Sequence, residues 1–159
     1  MSASPGMSAS PLAHVVGLAT GLLRRAVIGR VPKLFDAAYY RERNPGVARS
    51  GLDPFLHYAW LGARRDRNPS ADFDTAFYRR QSGRTRLDPL RHYLQVGAAQ
   101  GLDPSPAFST SLYLARYPDV VAAGINPLLH FRTDGRAEGR EAAPSPIEPD
   151  RLRALDGVA

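Results

Sequence analysis

Residues 108–140 read FSTSLYLARYPDVVAAGINPLLHFRTDGRAEGR, and their landmarks recur twice upstream in the same order. The openers Phe35, Phe73 and Phe108 lie 38 and 35 residues apart. Five residues after each comes a tyrosine: Tyr40, Tyr78, Tyr113. Next stands Asp53-Pro54, Asp88-Pro89 or Asn126-Pro127, followed by His57-Tyr58, His92-Tyr93 or His130-Phe131. A glycine lies five residues beyond each histidine, at Gly62, Gly97 and Gly135. Self-similarity at a fixed period is the mark of stacked supersecondary units, each too small to bury its apolar face alone.

Each unit reads as a pair of short helices. Phe35 precedes Asp36, a good N-cap, which places Phe35 and Tyr40 at the two ends of a hydrophobic staple. Phe73-Asp74 with Tyr78 and Phe108-Ser109 with Tyr113 repeat that spacing. The first helix should stop near Asn44-Pro45 in copy one and Tyr117-Pro118 in copy three, since a residue before proline is pushed out of the helical region. A short helical turn should follow each of these prolines. Copy two has 19 residues from Phe to His where the others have 22, so its Gln81 to Arg86 stretch is expected to form a bare loop. The second helix opens on Asp53, Asp88 or Asn126 as N-cap with proline at the first helical position. Gly62, Gly97 and Gly135 are expected to close it as left-handed stops. No segment has the alternation of a strand. The expected fold is therefore all-α: three short helix-pair repeats stacked in a row as a small solenoid, preceded by an amphipathic helix.

The expected organisation is a small, polar disordered lead over 1–11, the amphipathic helix over 12–31, a repeat domain over 32–143 (32–69, 70–104 and 105–143) and a tail over 144–159. The tail contains one short helical candidate at 150–155. Leu12, Val15, Val16, Ala19, Leu22, Leu23 and Ala26 follow helical spacing. That apolar face is expected to pack on the repeats, on a partner or on a membrane surface. Its uncharged run ends at Arg24, short of a bilayer span, and its basic residues follow rather than precede it, unlike those of a secretory signal.

The chain contains no cysteine, which removes disulfides and thiolate metal sites. Fifteen basic side chains face seven acidic ones from Arg24 to Arg91, against six and eight from His92 onward. The amino-terminal half is thus the electropositive end. Arg24, Arg25, Arg30, Arg64, Arg65, Arg67, Arg79 and Arg80 form the candidate surface for an anionic partner, with Arg84, Arg86 and Arg91 close by in sequence. The competing reading is solvated surface. The three repeat histidines invite a metal, but each belongs to a different unit, and helix-packing distances of about 8–10 Å would keep them apart. A histidine packed beside its aromatic neighbour and bonded to a loop carbonyl is the plainer reading. Asp72-Phe73-Asp74 spells the D-x-D of many glycosyltransferases, but its register makes Asp74 a helix cap. Nucleophile elbow, P-loop, dinucleotide fingerprint and zinc-protease motif are all missing. No catalytic, cofactor or metal residue is assigned, and a nucleic-acid partner is not expected because the aromatics are repeat landmarks.

Copy three resembles a bacterial tandem repeat with a consensus close to F-D-x-x-x-Y-L-x-x-Y-P-D-V-x-x-A-G-x-N-P-L-x-H-Y-x-x-x-G-x-x-E-G-R-x-P. Copy one is similar at Asn44-Pro45 and Gly51-Leu52-Asp53-Pro54. Copy two lacks the Pro-Asp-Val turn, and copy three ends in Glu141-Ala142 where proline is expected. The resemblance implies a helical, non-catalytic region of the kind found beside glycosyltransferase domains that build cell-surface polysaccharides, and in some secreted repeat proteins. It carries over no catalytic residue. The expectation is a binding or scaffold module with a protein or glycosyltransferase partner, cytoplasmic and at the inner face of the membrane. Its rivals are a shortened glycosyltransferase or accessory subunit, and a peripheral protein that grips anionic lipid or polysaccharide.

If the landmarks are the core, the middle copy holds the array together. Tyr93→Ala should lower stability by about 3–5 kcal/mol and remove most of the cooperative melt, read by denaturant titration. A parental melt would exclude this core assignment.

Overall fold

The computed structural model describes residues 10–27 and 29–147. Most of the expected lead, residue 28 and the helical candidate at 150–155 lie outside these residues. Among them the fold is all-α, and the only β-type pairings are the isolated bridges Ser70 to Phe73 and Ser105 to Phe108. Helix α1 spans Pro11–Val27. Copy one contributes α2 (Ala37–Arg43), α3 (Pro45–Ser50) and α4 (Pro54–His57). Copy two contributes α5 (Thr75–Ser82) and α6 (Pro89–His92). Copy three contributes α7 (Thr110–Arg116), α8 (Pro118–Ala122) and α9 (Pro127–His130).

The caps fall where the sequence places them. The side chains of Asp36, Asp74 and Ser109 accept from the first-turn amides of α2, α5 and α7. The staple rings lie 5.4, 5.2 and 5.0 Å apart in Phe35–Tyr40, Phe73–Tyr78 and Phe108–Tyr113. Asp53, Asp88 and Asn126 cap α4, α6 and α9, each with proline next. Copy two, three residues shorter, has no counterpart of α3 and α8; Gln81 and Ser82 extend α5, and Gly83 opens a loop to Asp88.

The glycine positions require a correction. Each second helix runs on into a wider π segment, at Tyr58–Gly62, Tyr93–Gly97 and Phe131–Gly135. None of the three closing glycines has a positive φ, and the left-handed residues come four positions later, at Asp66, Gly101 and Gly139. Gly62, Gly97 and Gly135 are needed because the hydroxyl of the staple tyrosine presses on them. A β-carbon at Gly62 would overlap the Tyr40 hydroxyl, one at Gly97 the Tyr78 hydroxyl, and one at Gly135 would lie 2.6 Å from the Tyr113 hydroxyl. The same hydroxyls meet the Nδ1 atoms of His57, His92 and His130 at 2.9, 2.7 and 2.9 Å. Each unit is thus latched by a tyrosine from its first helix, held between the histidine and the glycine of its second.

A second set of bonds joins successive copies. The Thr75 hydroxyl donates to the Arg67 carbonyl at 2.8 Å, leaving its lone pairs for the Tyr58 hydroxyl at 3.4 Å. The Thr110 hydroxyl likewise donates to Leu102 at 2.7 Å and meets Tyr93 at 3.2 Å. The position of Tyr58 and Tyr93 holds Phe131 in copy three and makes no such bond.

The third copy touches the first. Arg132 in the third copy donates to the Leu34 carbonyl at 2.8 Å and pairs with Asp36 at 3.1 Å, both at the start of the first. It also lies 3.9 Å from Asp72, which is paired with Arg136. In a straight row, spacings of about 8–10 Å per helix layer would keep the first and third copies out of reach. One buried cluster includes Phe35, Tyr58, Phe73, Tyr93, Phe108 and Leu128, with members from every copy.

The latch makes a non-additive pair. Gly62→Ala should destabilise by about 1–3 kcal/mol through overpacking, because the new methyl meets the Tyr40 hydroxyl. In a Tyr40→Phe background the same change should cost markedly less, since the nearest ring carbon is 3.2 Å away. A thermodynamic cycle of denaturant melts measures the coupling; strict additivity would rule out the latch.

Candidate functional site

The repeated polar residues serve the fold. The three histidines are held by tyrosine hydroxyls, not by loop carbonyls. Burial lowers the His57 pKa, with Arg67 and Arg65 adding to the effect. The neutral imidazole is bonded through Nδ1 to the Tyr40 hydroxyl, and burial pushes that hydroxyl up to about 12, so the phenol keeps its proton. Burial also raises Tyr78 and Tyr113. Among the described residues, no group of three or more His, Cys, Asp or Glu could hold a metal ion. Of the D-x-D residues, Asp74 caps α5 through the Phe77 amide at 2.8 Å and Asp72 pairs with Arg136.

The candidate arginines separate into three groups. Arg24 and Arg67 belong to the fold. Arg24 pairs with Asp53 at 3.0 Å and donates to the Gly29 carbonyl at 2.7 Å. Arg67 bonds the Asn44 side chain. The same register in copy three holds Arg140, which pairs with Asp119 at 2.8 Å and lies 4.9 Å over the Tyr117 ring. Copy two, without the short helix to be tied, has Leu102 at this position. Arg25 and Arg30 are exposed on and just beyond α1, and Arg65 is exposed on the turn after the first π segment.

Arg64, Arg79 and Arg80 converge. They line a groove of about 770 Å³ between the first and second copies. Arg84 and Arg86 join them from the loop that replaces the short helix. The floor contains Ala59, Ala63 and Ala76, small residues that leave the space open. Both carboxylates in the groove are engaged. Asp66 pairs with Arg79 at 2.6 Å, and buried Asp88 caps α6 through the Arg91 amide at 3.0 Å. Five guanidinium groups face two carboxylates in the groove, leaving a net positive lining of the kind that attracts anions. The sequence shows these arginines as two clusters; that the missing residues of copy two open the space between them is a tertiary result.

Of the three positions open to the apolar face of α1, the structure excludes packing on the repeats. The inner face of the helix is small and polar. The Asp53 amide donates to the Thr20 hydroxyl at 2.9 Å, and Arg24 grips the Asp53 carboxylate. Gly51, with φ 71°, lies so close to the Ala13 backbone that no β-carbon fits between them. Leu12, Val15, Leu18, Leu22, Leu23 and Val27 are left 44–73 % exposed. The apolar stripe does not pack on the repeats because the polar anchors lie on the other side of the helix. Among the described residues no helix is long and apolar enough to cross a membrane.

No family model, curated protein or solved structure matches the chain.

The latch has a pH signature. The raised Tyr40 pKa means that the native state keeps a proton that the unfolded chain loses above its ordinary value of 10.0. The associated stability is complete below that pH and is lost as pH climbs to about 12. The lowered His57 pKa acts at the acid end: its share is complete above 6.5 and is lost as pH falls through the lower native value. Melts followed by circular dichroism should weaken on both flanks, and Tyr40→Phe should flatten part of the alkaline one. An alkaline flank identical in parent and variant would contradict the burial of this hydroxyl.

Proposed function

We propose that this chain is a non-catalytic helical-repeat module, a small wound solenoid that acts as a binding or scaffold element. The observation that carries this reading is the arginine-lined groove. It is the feature in which copy two departs most from its neighbours, while the tyrosines, histidines and glycines common to all three copies are committed to internal latches. Residues shared by the copies thus support packing, and residues particular to one copy support recognition. The groove suits an anionic patch of a partner protein or an acidic glycan, since guanidinium groups pair with carboxylate and phosphate in bidentate fashion.

The resemblance to repeats found beside glycosyltransferases supplies the setting: assembly of a bacterial cell-surface polysaccharide, with the module at the inner face of the membrane and a glycosyltransferase as partner. The engagement of Asp72 and Asp74 in an ion pair and a cap weighs against the rival reading of a shortened glycosyltransferase. Transfer or hydrolysis of a sugar nucleotide by the purified chain would favour that rival.

Crosslinking and affinity capture with the purified chain should recover an envelope or glycan-synthesis component. Arg84→Glu with Arg86→Glu should abolish the capture while shifting stability by no more than about 0.5 kcal/mol, as for exposed loop positions. Capture of no such component, or capture indifferent to the charge reversal, would overturn the proposal.

A further inference from the structure

The exposed face of α1 is a second surface, on a different part of the molecule from the arginine groove. Leu18, Leu22 and Leu23 face outward together with Leu12, Val15 and Val27. They cannot roll inward, because Thr20 and Arg24 hold the opposite face to Asp53. In sequence, the charges on α1 and just after it are of one sign. The first acidic residue of the chain is Asp36, and before it come Arg24, Arg25, Arg30 and Lys33. Arg24 is engaged with Asp53, whereas Arg25, Arg30 and Lys33 are exposed. Arg25 follows Leu22 by three positions and Leu18 by seven, and so borders the apolar stripe.

We propose that α1 is a membrane-surface helix, which lays its leucine face into the headgroup boundary of an anionic bilayer with Arg25, Arg30 and Lys33 against the lipid phosphates. An apolar face beside a cationic rim is the pattern of helices that lie in the interface. With 17 residues, α1 extends about 25 Å at 1.5 Å per residue, too short to span the hydrocarbon core. A second copy of the chain is the poorer occupant, since it would bring the same uncompensated cations to the same seam. Anionic lipid complements both features. This inference does not rest on the anionic groove or on its partner.

The test is flotation of the full chain with liposomes. It should rise with phosphatidylglycerol-containing vesicles, stay down with pure phosphatidylcholine, and be released by salt. Arg25→Ala, Arg30→Ala and Lys33→Ala should each lower partition about five-fold, the equivalent of about 1 kcal/mol per cation near an anionic leaflet. Leu18→Glu with Leu22→Glu should abolish flotation and leave the thermal melt unchanged, because both side chains point away from the repeats. Should that variant fail to fold, Leu22→Trp in a Trp60→Phe background gives an independent reading: its emission should shift to the blue on phosphatidylglycerol vesicles only. No flotation, flotation blind to lipid charge, or an emission unaltered by vesicles would overturn the proposal. So would a dimer broken by Leu18→Glu with Leu22→Glu without any vesicle binding, which would give the face to a second copy.

Discussion

A phenol hydroxyl wedged between an imidazole and a glycine governs how each unit of this protein is built. Tyr40, Tyr78 and Tyr113 are essentially buried, and each hydroxyl needs an acceptor where water is excluded. The histidine four residues after the second-helix cap supplies Nδ1, and the glycine five residues later lets the ring end approach the backbone. The π segment fits the same demand. It lies beside the hydroxyl in all three copies, and its wider turn begins at the residue after the histidine. Helices of four to eight residues have no independent stability, so their geometry is set by this side-chain lock rather than by propensity.

Between units the logic is similar but uses other residues. Tyr58 and Tyr93 reach forward to Thr75 and Thr110 at the start of the next copy. The return contacts of Arg132 and Arg136 to Asp36 and Asp72 then pull the third copy onto the first two. One copy folded without the others would leave these groups unpaired, and the buried cluster likewise draws on all three copies.

The copies diverge at the short helix that follows the first helix of each unit. The short helix of copy one is tied by Arg67 and Asn44, and that of copy three by Arg140, Asp119 and Tyr117. Copy two has neither the helix nor the arginine, and its shortened loop borders the arginine groove. Helix α1 adds a surface that no repeat provides. Gly17, which weakens an isolated helix, keeps a side chain out of the space beside the Gly51 carbonyl, 3.1 Å from where its β-carbon would lie.

Local signals in the sequence were sufficient for the helix starts, the N-caps, the staples and the shortened copy, because each depends on residues only a few positions apart. Asp36, Asp74 and Ser109 cap their helices through amides two or three positions on, and that relation is written in the spacing itself. The purpose of Gly62, Gly97 and Gly135 was not written there. A glycine after a helical run has two physical uses, a left-handed stop or a close approach, and only the position of a tyrosine 22 residues away in copies one and three, or 19 in copy two, distinguishes them. The same holds for the arginines. Arg67 and Arg64 are near neighbours in sequence, yet one ties a helix and the other lines a groove. The direction of the α1 apolar face was likewise a tertiary decision, since periodicity defines a stripe but not what it faces, and the anchoring of Thr20 and Arg24 to Asp53 turned it to the outside.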